Sequence, residues 1–506
     1  MTDFMKLQNG SDIRGVAMEG IPGQEVNLTE TEAGAIAGAF AYWLGFKVGK
    51  NPFDLRICVG QDPRLSGDTL KEGVLRGIAM FGAEGYDAGL ASTPAMFMST
   101  VLPQMDFDGA VMITASHLPW NRNGFKFFTK EGGLDSKDIA SILRTASKYN
   151  FVGEFYEERH SNALQMYAAY LRQMISIGLK DVPGGLSGMH IVVDAGNGAG
   201  GFFAREVLEP MGADISGSQF LEPDGTFPNH SPNPENREAV RSLCRAVTEN
   251  KADLGIIFDT DVDRIAAVGS DGKAIARNRI IALAAAIAAE DYPGGTVVTD
   301  SLTSEELHEF LEKDLGLKHL RYKRGYRNVI NKAKELREAG ENAFLAIETS
   351  GHAAYADNFY LDDGAFLAVQ LIINAARLKA EGKDITSLIE GLKSPAESAE
   401  IRFILTAEDW ISLGTSVLED IEKWVKETSG FELVSPNFEG VRADFRVPVT
   451  SGGSKKEAKG WFLLRKSLHD AVLPFNIESD TEGGTEAVLP LILDFMRRYK
   501  GIEIPE

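Results

Sequence analysis

Between positions 255 and 264 the chain reads Gly255-Ile-Ile-Phe-Asp259-Thr-Asp261-Val-Asp263-Arg264, an apolar run that delivers three carboxylates at alternate positions. In an extended or looped segment this spacing aims several hard oxygens at one point, the donor set that Mg²⁺ takes. Three close carboxylates repel one another unless a cation neutralises them. A divalent-cation site at Asp259, Asp261 and Asp263 is therefore favoured over a solvated acidic turn. Arg264 can pair with one of these acids or hold an anionic substrate beside the metal, and the sequence does not choose.

Three further segments carry polar groups directly after an apolar run. In Thr114-Ala-Ser116-His117-Leu-Pro119-Trp-Asn-Arg-Asn123-Gly124-Phe-Lys126 a serine is flanked by a histidine and followed by a lysine. Ser116 can be a nucleophile or phosphoryl carrier with a base nearby, and the segment can equally be a turn built from Ser, Pro, Asn and Gly. In Ile347-Glu348-Thr-Ser350-Gly351-His352 a carboxylate and a hydroxyl stand on alternate positions, suited to adjacent hydroxyls of a sugar, or to an exposed turn. In His190-Ile-Val-Val-Asp194-Ala-Gly196-Asn-Gly198-Ala-Gly-Gly201 the glycines satisfy the dinucleotide-binding spacing. That fold also wants an acid closing the second strand, whereas Ser-Gly-Ser-Gln follows Ile215, and Asp194 would oppose a pyrophosphate. The glycines are better read as a tight strand-to-helix turn than as a nicotinamide site.

The elements that must position these residues have α/β texture. Short runs rich in β-branched residues, at 55–59, 110–113, 190–193, 254–258, 296–299 and 343–347, alternate with helical patterns. Leu164, Tyr167, Leu171 and Met174 predict a helix over 160–179, ended by Lys180-Asp-Val-Pro-Gly-Gly185. Breakers near 185, at Asp291-Tyr-Pro-Gly-Gly295 and at Lys393-Ser-Pro-Ala396 divide the chain into 1–185, 186–293, 294–396 and 397–506. The last segment, with strands at 441–447 and 461–465 and a terminal helix near 485–499, reads as α+β, and the first three as similar α/β units.

Composition bounds the partners. Hydrophobic residues at 44% and charged residues at 25% of 506 describe a packed globular chain of about three or four domains. The formal charge of −21 argues against nonspecific nucleic-acid binding and against an anionic membrane, so a small anionic ligand needs a local basic site. Cys58 and Cys244 suggest neither a disulfide framework nor a zinc site and fit a reducing compartment. The start MTDFMKLQNGSDIRG lacks a signal-peptide core, and the apolar stretch 280–289 is too short to cross a bilayer. The expectation is a soluble cytoplasmic protein, with oligomeric state left open.

Taken in order, these segments resemble the α-D-phosphohexomutases, the phosphoglucomutase and phosphomannomutase superfamily. The serine segment is similar to the family's Thr-Ala-Ser-His-Asn-Pro…Asn-Gly-x-Lys loop, the acidic segment to its Asp-Gly-Asp-Gly-Asp-Arg loop, and 348–352 to its Glu-x-Ser-Gly-His loop. Further echoes are Asp12-Ile-Arg14-Gly15, Gln61-Asp62-Pro-Arg64-Leu-Ser66-Gly67, Thr93-Pro94 and Pro223 to Pro234. The acidic segment matches the Asp-x-Asp nucleophile of haloacid-dehalogenase-type phosphotransferases only in part, because Asp263 stands where that family wants Thr or Val.

The resemblance implies four domains around a central cleft, each supplying one loop. It implies that Ser116 is the phosphoserine, that Asp259, Asp261 and Asp263 bind Mg²⁺ together with the Ser116 phosphate, and that Glu348 and Ser350 grip sugar hydroxyls, with His352 beside them. Arg14 and Lys126 take the places of the base and phosphate-contacting residues near the serine, with His117 secondary. The implied reaction interconverts hexose 1-phosphate and hexose 6-phosphate, of glucose or mannose, through a hexose 1,6-bisphosphate.

Three departures stand out. Leu118 replaces Asn in the serine loop, and Thr260 and Val262 replace two glycines of the metal loop, which leaves the ligand positions but stiffens the backbone. The phosphate-binding Arg-x-Ser-Gly-Thr-Glu-Pro loop is here Arg465-Lys-Ser467-Leu-His469-Asp470-Ala-Val-Leu-Pro. Arg465 and Ser467 match. His469 or Lys466 can supply the remaining contacts, Asp470 is unfavourable near a phosphate unless it turns away, and the basic cluster Lys323, Arg324, Tyr326, Arg327 either compensates or forms a solvated face. The alternatives are a phosphoglucosamine mutase, which Thr349 does not separate, and a catalytically silent sugar-phosphate-binding paralogue.

Overall fold

The computed structural model describes residues 3–148, 155–467 and 470–505. They form two compact units, Met1–Ile287 with Ser350–Ser387, and Ala288–Thr349 with Leu388–Glu506.

The first unit contains two sheets. In one, Arg56–Gln61 lies between the parallel strands Glu84–Leu90 and Gly109–Ile113. The Gly109–Ile113 side is then extended antiparallel by Arg122–Thr129 and by Asp12–Val16. Gly109–Ile113 and the middle of Arg56–Gln61 are buried runs, as strands under covering helices are, whereas Glu84–Leu90 is half-buried throughout. Helix Glu30–Val48 is one of the covering helices; it opens on Thr29 with a reciprocal capping box to Glu32 and buries Ala33 through Ala41. In the second sheet Ile191–Asp194 runs parallel to Leu254–Phe258, which turns back antiparallel into Ile265–Gly269. The acidic segment is thus the loop of a β-hairpin.

The second unit holds three parallel strands, with Thr296–Thr299 between Lys318–Arg321 and Ala343–Ile347. Its other sheet is antiparallel, in the order Phe431–Leu433, Val441–Ser451, Ser454–Leu464, Val472–Ser479, Glu397–Leu405, Ile502–Glu503. Val441–Ser451 alternates buried and exposed residues, as a sheet covered on one face must. Helices Trp410–Glu427 and Gly484–Met496 bury Val417, Ile421, Val425, Val488, Ile492 and Phe495 in the same core.

The expected helix at 160–179 is Ala163–Gly178, and the runs at 254–258, 296–299 and 343–347 are strands to the residue. One reading is corrected. Asn123-Gly124 carries turn chemistry in the sequence but lies inside the strand Arg122–Thr129. Glycine is needed there for space, since a Cβ on Gly124 would lie 1.9 Å from the carbonyl oxygen of Ile13 on the neighbouring strand. Among the described residues no helix is long and apolar enough to cross a membrane.

Candidate active site

The hairpin loop 259–264 is held by backbone donors from three distant elements. Ala199 N–H donates to Thr260 O (2.8 Å), Thr93 N–H to Asp261 O (2.8 Å) and Gly364 N–H to Val262 O (3.2 Å). Asp259 N–H closes the loop onto Arg264 O at 3.3 Å. Val262 is pinned at φ 70°, a left-handed conformation that costs a β-branched residue of order 1–2 kcal/mol. Three carbonyls tied in this way leave the loop no relaxed alternative, and the strain persists because the surroundings over-determine it.

The loop presents its acids inward. Asp259, Asp261 and Asp263 are fully buried, and one oxygen from each falls within 4.8 Å of the others. Lys126, on the strand Arg122–Thr129, donates to Asp261 Oδ2 at 2.8 Å and to Asp263 Oδ2. Asp261 Oδ1 and Asp263 Oδ1 are buried with no hydrogen-bond partner. Burial and the neighbouring Asp263 and Asp261 push Asp259 well above the ordinary carboxylate range. Burial and Asp263 also act to raise Asp261, but Lys126 and the Thr93 hydroxyl outweigh them and hold it low. Orphaned oxygens and three buried acids that share one lysine and one arginine are the electrostatic signature of a hard-cation cage, and this donor set fits Mg²⁺.

Ser116 meets the cage directly. Its backbone sits at φ 50°, and Oγ donates to Asp259 Oδ2 at 3.0 Å. Arg264, 2% exposed, donates through Nε to Asp259 Oδ2 (3.2 Å) and through Nη2 to Ser116 Oγ (3.3 Å) and His117 Nδ1 (2.6 Å). Arg264 thus pairs with the acid and has the serine hydroxyl in the same grip. Burial, with Arg264 beside it, lowers His117 to about 3, so its imidazole is neutral and Nδ1 accepts. Arg14 donates to Thr114 O (2.7 Å) and to Asp12 (2.8 Å), at the start of the serine turn.

His352 and Ser350 belong to the same unit. A Cβ on Gly351, at φ 94°, would lie 2.1 Å from Ile265 O, so glycine lets 350–352 press onto the strand leaving the acidic loop. Ser350 is buried there, and His352 bridges Arg264 through its backbone. His352 Nδ1 lies 2.6 Å from Asp362 Oδ2 and 3.8 Å from Asp263 Oδ1. Burial lowers this imidazole, but Asp362 and Asp263 outweigh it and hold it at about 9, while burial raises Asp362 to about 6. Asp263, His352 and Asp362 also satisfy metal-ligand spacing. A protonated imidazole has no lone pair at that nitrogen to give, so the three aspartates are the better cage.

The second unit holds the remaining candidates. Glu348, just past the strand Ala343–Ile347, accepts from Gly325 N–H at 2.6 Å, and Thr349 donates twice to Asp300 Oδ2, at 2.7 Å each. Glu439 accepts from Arg324 N–H (3.0 Å) and from the Ser301 hydroxyl. Burial lowers Arg465, and Arg324 is its largest charged neighbour, opposed by Glu439. Two guanidiniums in electrostatic reach of each other suit an anion between them. Tyr326 opens helix Tyr326–Glu338 and is half-buried, and Lys323 is exposed. Asp470 turns onto Ser467, accepting from its hydroxyl at 3.5 Å and donating its N–H back at 3.2 Å. His469 lies outside the described residues.

Residues that the sequence reading left without a role include Thr93, whose hydroxyl donates to Asp261 Oδ2, and Asp62, Arg64, Asp362 and Glu439. Thr93-Pro94 and Gln61 to Gly67 carried a signal as short echoes. Asp362 and Glu439 carry none, because each acts only through a partner that folding brings to it.

Three family models match the chain: phosphoglucomutase/phosphomannomutase α/β/α domain I over residues 5–152, domain II over 165–272 and domain III over 276–394. A phosphomannomutase/phosphoglucomutase of Pseudomonas syringae pv. tomato is 28% identical over 452 residues, spanning 88% of this chain and 89% of its own. A phosphoglucosamine mutase of Shouchella clausii is 29% identical, over 76% of this chain and 83% of its own. A crystal structure of a phosphoglucomutase/phosphomannomutase family protein from Burkholderia thailandensis superposes with a TM-score of 0.76 at 25% identity, covering 98% of this chain and 97% of that one.

Proposed function

The chain belongs to the phosphoglucomutase/phosphomannomutase family, a phosphohexomutase of three α/β/α domains and a C-terminal β-rich domain, and on that premise we propose that it interconverts glucose or mannose 1-phosphate and 6-phosphate with Ser116 as phosphoryl carrier. The observation that carries the reading is the hydrogen bond from Ser116 Oγ to Asp259, inside a cage whose Asp261 and Asp263 keep partnerless oxygens. We place the domains at 1–185, 186–293, 294–396 and 397–506.

In this reading a phosphoryl group on Ser116 Oγ passes to the free O6 or O1 hydroxyl of a hexose phosphate. The hydroxyl proton leaves to a base, the Ser116 oxygen regains its proton, and a hexose 1,6-bisphosphate forms. The bisphosphate reorients, and its other phosphoryl group returns to Ser116. Asp259, Asp261 and Asp263, together with the Ser116 phosphate, would hold Mg²⁺, which would supply positive charge to the transferring phosphoryl oxygens. Arg264, 3.3 Å from Ser116 Oγ, and Lys126 add fixed positive charge where it develops, the largest kind of contribution to such chemistry. Arg14 serves as a cation toward the phosphate. Glu348 and Ser350 take the sugar hydroxyls. Arg465 and Arg324 take the nonreacting phosphate, which accounts for activity despite the altered 465–470 loop, with Ser467 and Asp470 committed to each other.

The phosphoglucosamine reading has the narrower match, 76% of the chain against 88%. A coupled assay with glucose 1-phosphate, mannose 1-phosphate and glucosamine 1-phosphate tests the assignment, together with intact-mass spectrometry after incubation with glucose 1,6-bisphosphate. Turnover of the first two sugars and one added phosphoryl group that Ser116→Ala abolishes are expected. Preference for the amino sugar, or the absence of any label, would overturn it.

A further inference from the structure

The guanidinium of Arg64 has five N–H bonds, and every one is used on the serine turn or on the acid that braces it. Nη1 donates to Pro119 O (2.8 Å) and Arg122 O (3.0 Å), and Nη2 to Leu118 O (2.6 Å) and Ser116 O. Nε donates to Asp62 Oδ2 at 3.3 Å. Asp62 also accepts from the Thr114 hydroxyl at 2.6 Å, and that same oxygen accepts the Ser116 N–H at 2.8 Å. Both peptide groups of Ser116 are therefore fixed by one Arg64–Asp62–Thr114 network, while its side chain stays on the other side of the turn, facing Asp259.

Burial makes the network strong. Arg64 is 2% exposed and Asp62 fully buried, with the Phe227 ring 5.4 Å from the guanidinium carbon. A Cβ on Gly225 would lie 2.2 Å from Pro63 O, so the 223–227 segment seals the clamp against water. Hydrogen bonds from an ionised donor in such surroundings are among the strongest a protein makes. They are spent on holding a non-glycine residue at φ 50°, a conformation that does not maintain itself.

We propose that Arg64 is the positioning residue of the phosphoryl carrier, holding the 116–122 turn so that Ser116 Oγ meets the acidic loop. The inference rests on Ser116 being that carrier. Arg64 lies behind the turn and contacts neither reacting atoms nor sugar-binding residues, so it acts on turnover and not on substrate affinity. Charge alone is insufficient, because a lysine offers three donors from one point and cannot reach four carbonyls spread along a turn.

The test compares the wild type, Arg64→Lys and Arg64→Ala. For Arg64→Lys, kcat should fall about 10²-fold with KM for glucose 1-phosphate within about twofold of wild type, the pattern of a misplaced reacting group. Labelling of Ser116 by glucose 1,6-bisphosphate should slow in step. Added guanidinium should restore kcat of Arg64→Ala by roughly tenfold or more and leave the wild type unchanged, because it refills a cavity that lacks only the planar donor. A folded Arg64→Lys with wild-type kcat, or with a raised KM alone, overturns the clamp, as does a folded Arg64→Ala that guanidinium does not rescue. If Arg64→Ala fails to fold, Arg64→Lys decides. A wild type that neither turns over nor takes up label overturns the mutase reading and the clamp together, whereas an active wild type with an equally active Arg64→Lys overturns the clamp alone.

Discussion

Ser116 Oγ and Asp259 Oδ2 lie 3.0 Å apart although 143 positions separate them in the chain. The nucleophile candidate and the first acid of the cage are one hydrogen-bonded unit, so charge brought into the cage is felt at the serine oxygen.

Mg²⁺ should stabilise the folded chain. The cage buries three acids around one lysine and one arginine, with Asp259 pushed strongly toward its neutral form by burial and by Asp263 and Asp261. An ion that binds only the native state at 100 times its Kd adds about 2.7 kcal/mol. Scanning calorimetry should show a Mg²⁺-dependent rise in Tm that Asp261→Asn largely removes. Chelation by EDTA should abolish turnover of every sugar equally. A wild-type Tm indifferent to Mg²⁺ would refute the cage.

Thr93→Val should weaken metal binding without unfolding the chain. The Thr93 hydroxyl donates to Asp261 Oδ2, and valine keeps the shape while leaving that buried carboxylate one donor short. The cost is about 1–3 kcal/mol of stability and a loss of roughly 10–100-fold in metal affinity, as for other residues that orient ligands from behind. Titration calorimetry with Mn²⁺ or Mg²⁺ reads it, and unchanged affinity would remove Thr93 from the site.

Val262→Gly should be unusually mild. Val262 and Val268 are both fully buried, but only Val262 sits at positive φ, whereas Val268 lies in the strand Ile265–Gly269. Both substitutions lose comparable apolar burial. Only the first also relieves left-handed strain, so Val262→Gly should cost about 1–2 kcal/mol less than Val268→Gly. Denaturant unfolding of the pair checks it, and equal costs would mean that the loop stores no strain.

Asp363 should make stability fall as pH rises. It caps helix Gly364–Ala380 and accepts from Phe366 N–H (2.8 Å), Asn358 Nδ2 (2.9 Å) and the Tyr167 hydroxyl, yet burial raises it from 3.8 to about 6. A carboxyl that binds its proton more tightly in the native state stabilises the fold below about pH 4 and loses that contribution as pH rises through about 6. The stability of wild type relative to Asp363→Asn should therefore drop by about 2 kcal/mol between pH 4 and pH 7. Urea melts of both proteins across that range measure it, and parallel profiles would contradict the buried acid.

What could be read along the chain was local. Asp259, Asp261 and Asp263 announce a cation because a period of two after an apolar strand is a property of the backbone itself, and Ser116 and Glu348 were found the same way. Residues whose role depends on a distant partner left little trace. Lys126 stands out for its place after Ser116, but its contact with two of the acids was not legible, because it depends on a strand that packs against its neighbour only where Gly124 leaves room.

The sequence by itself determined much of the inventory: the strands at 254–258, 296–299 and 343–347, the helix after Asn162 and the chemical groups that follow the strands, since these follow from apolar periodicity and short-range backbone preference. The tertiary structure alone decided the conformation of the acidic loop, the Asp362 contact that keeps His352 protonated, and the Arg64 network behind Ser116. The acidic loop and the Arg64 network are made by hydrogen bonds from elements far away in the chain, and the Asp362 contact by a turn that folds the chain back on His352; burial sets the strength of all three, so no reading of neighbours in sequence could supply them.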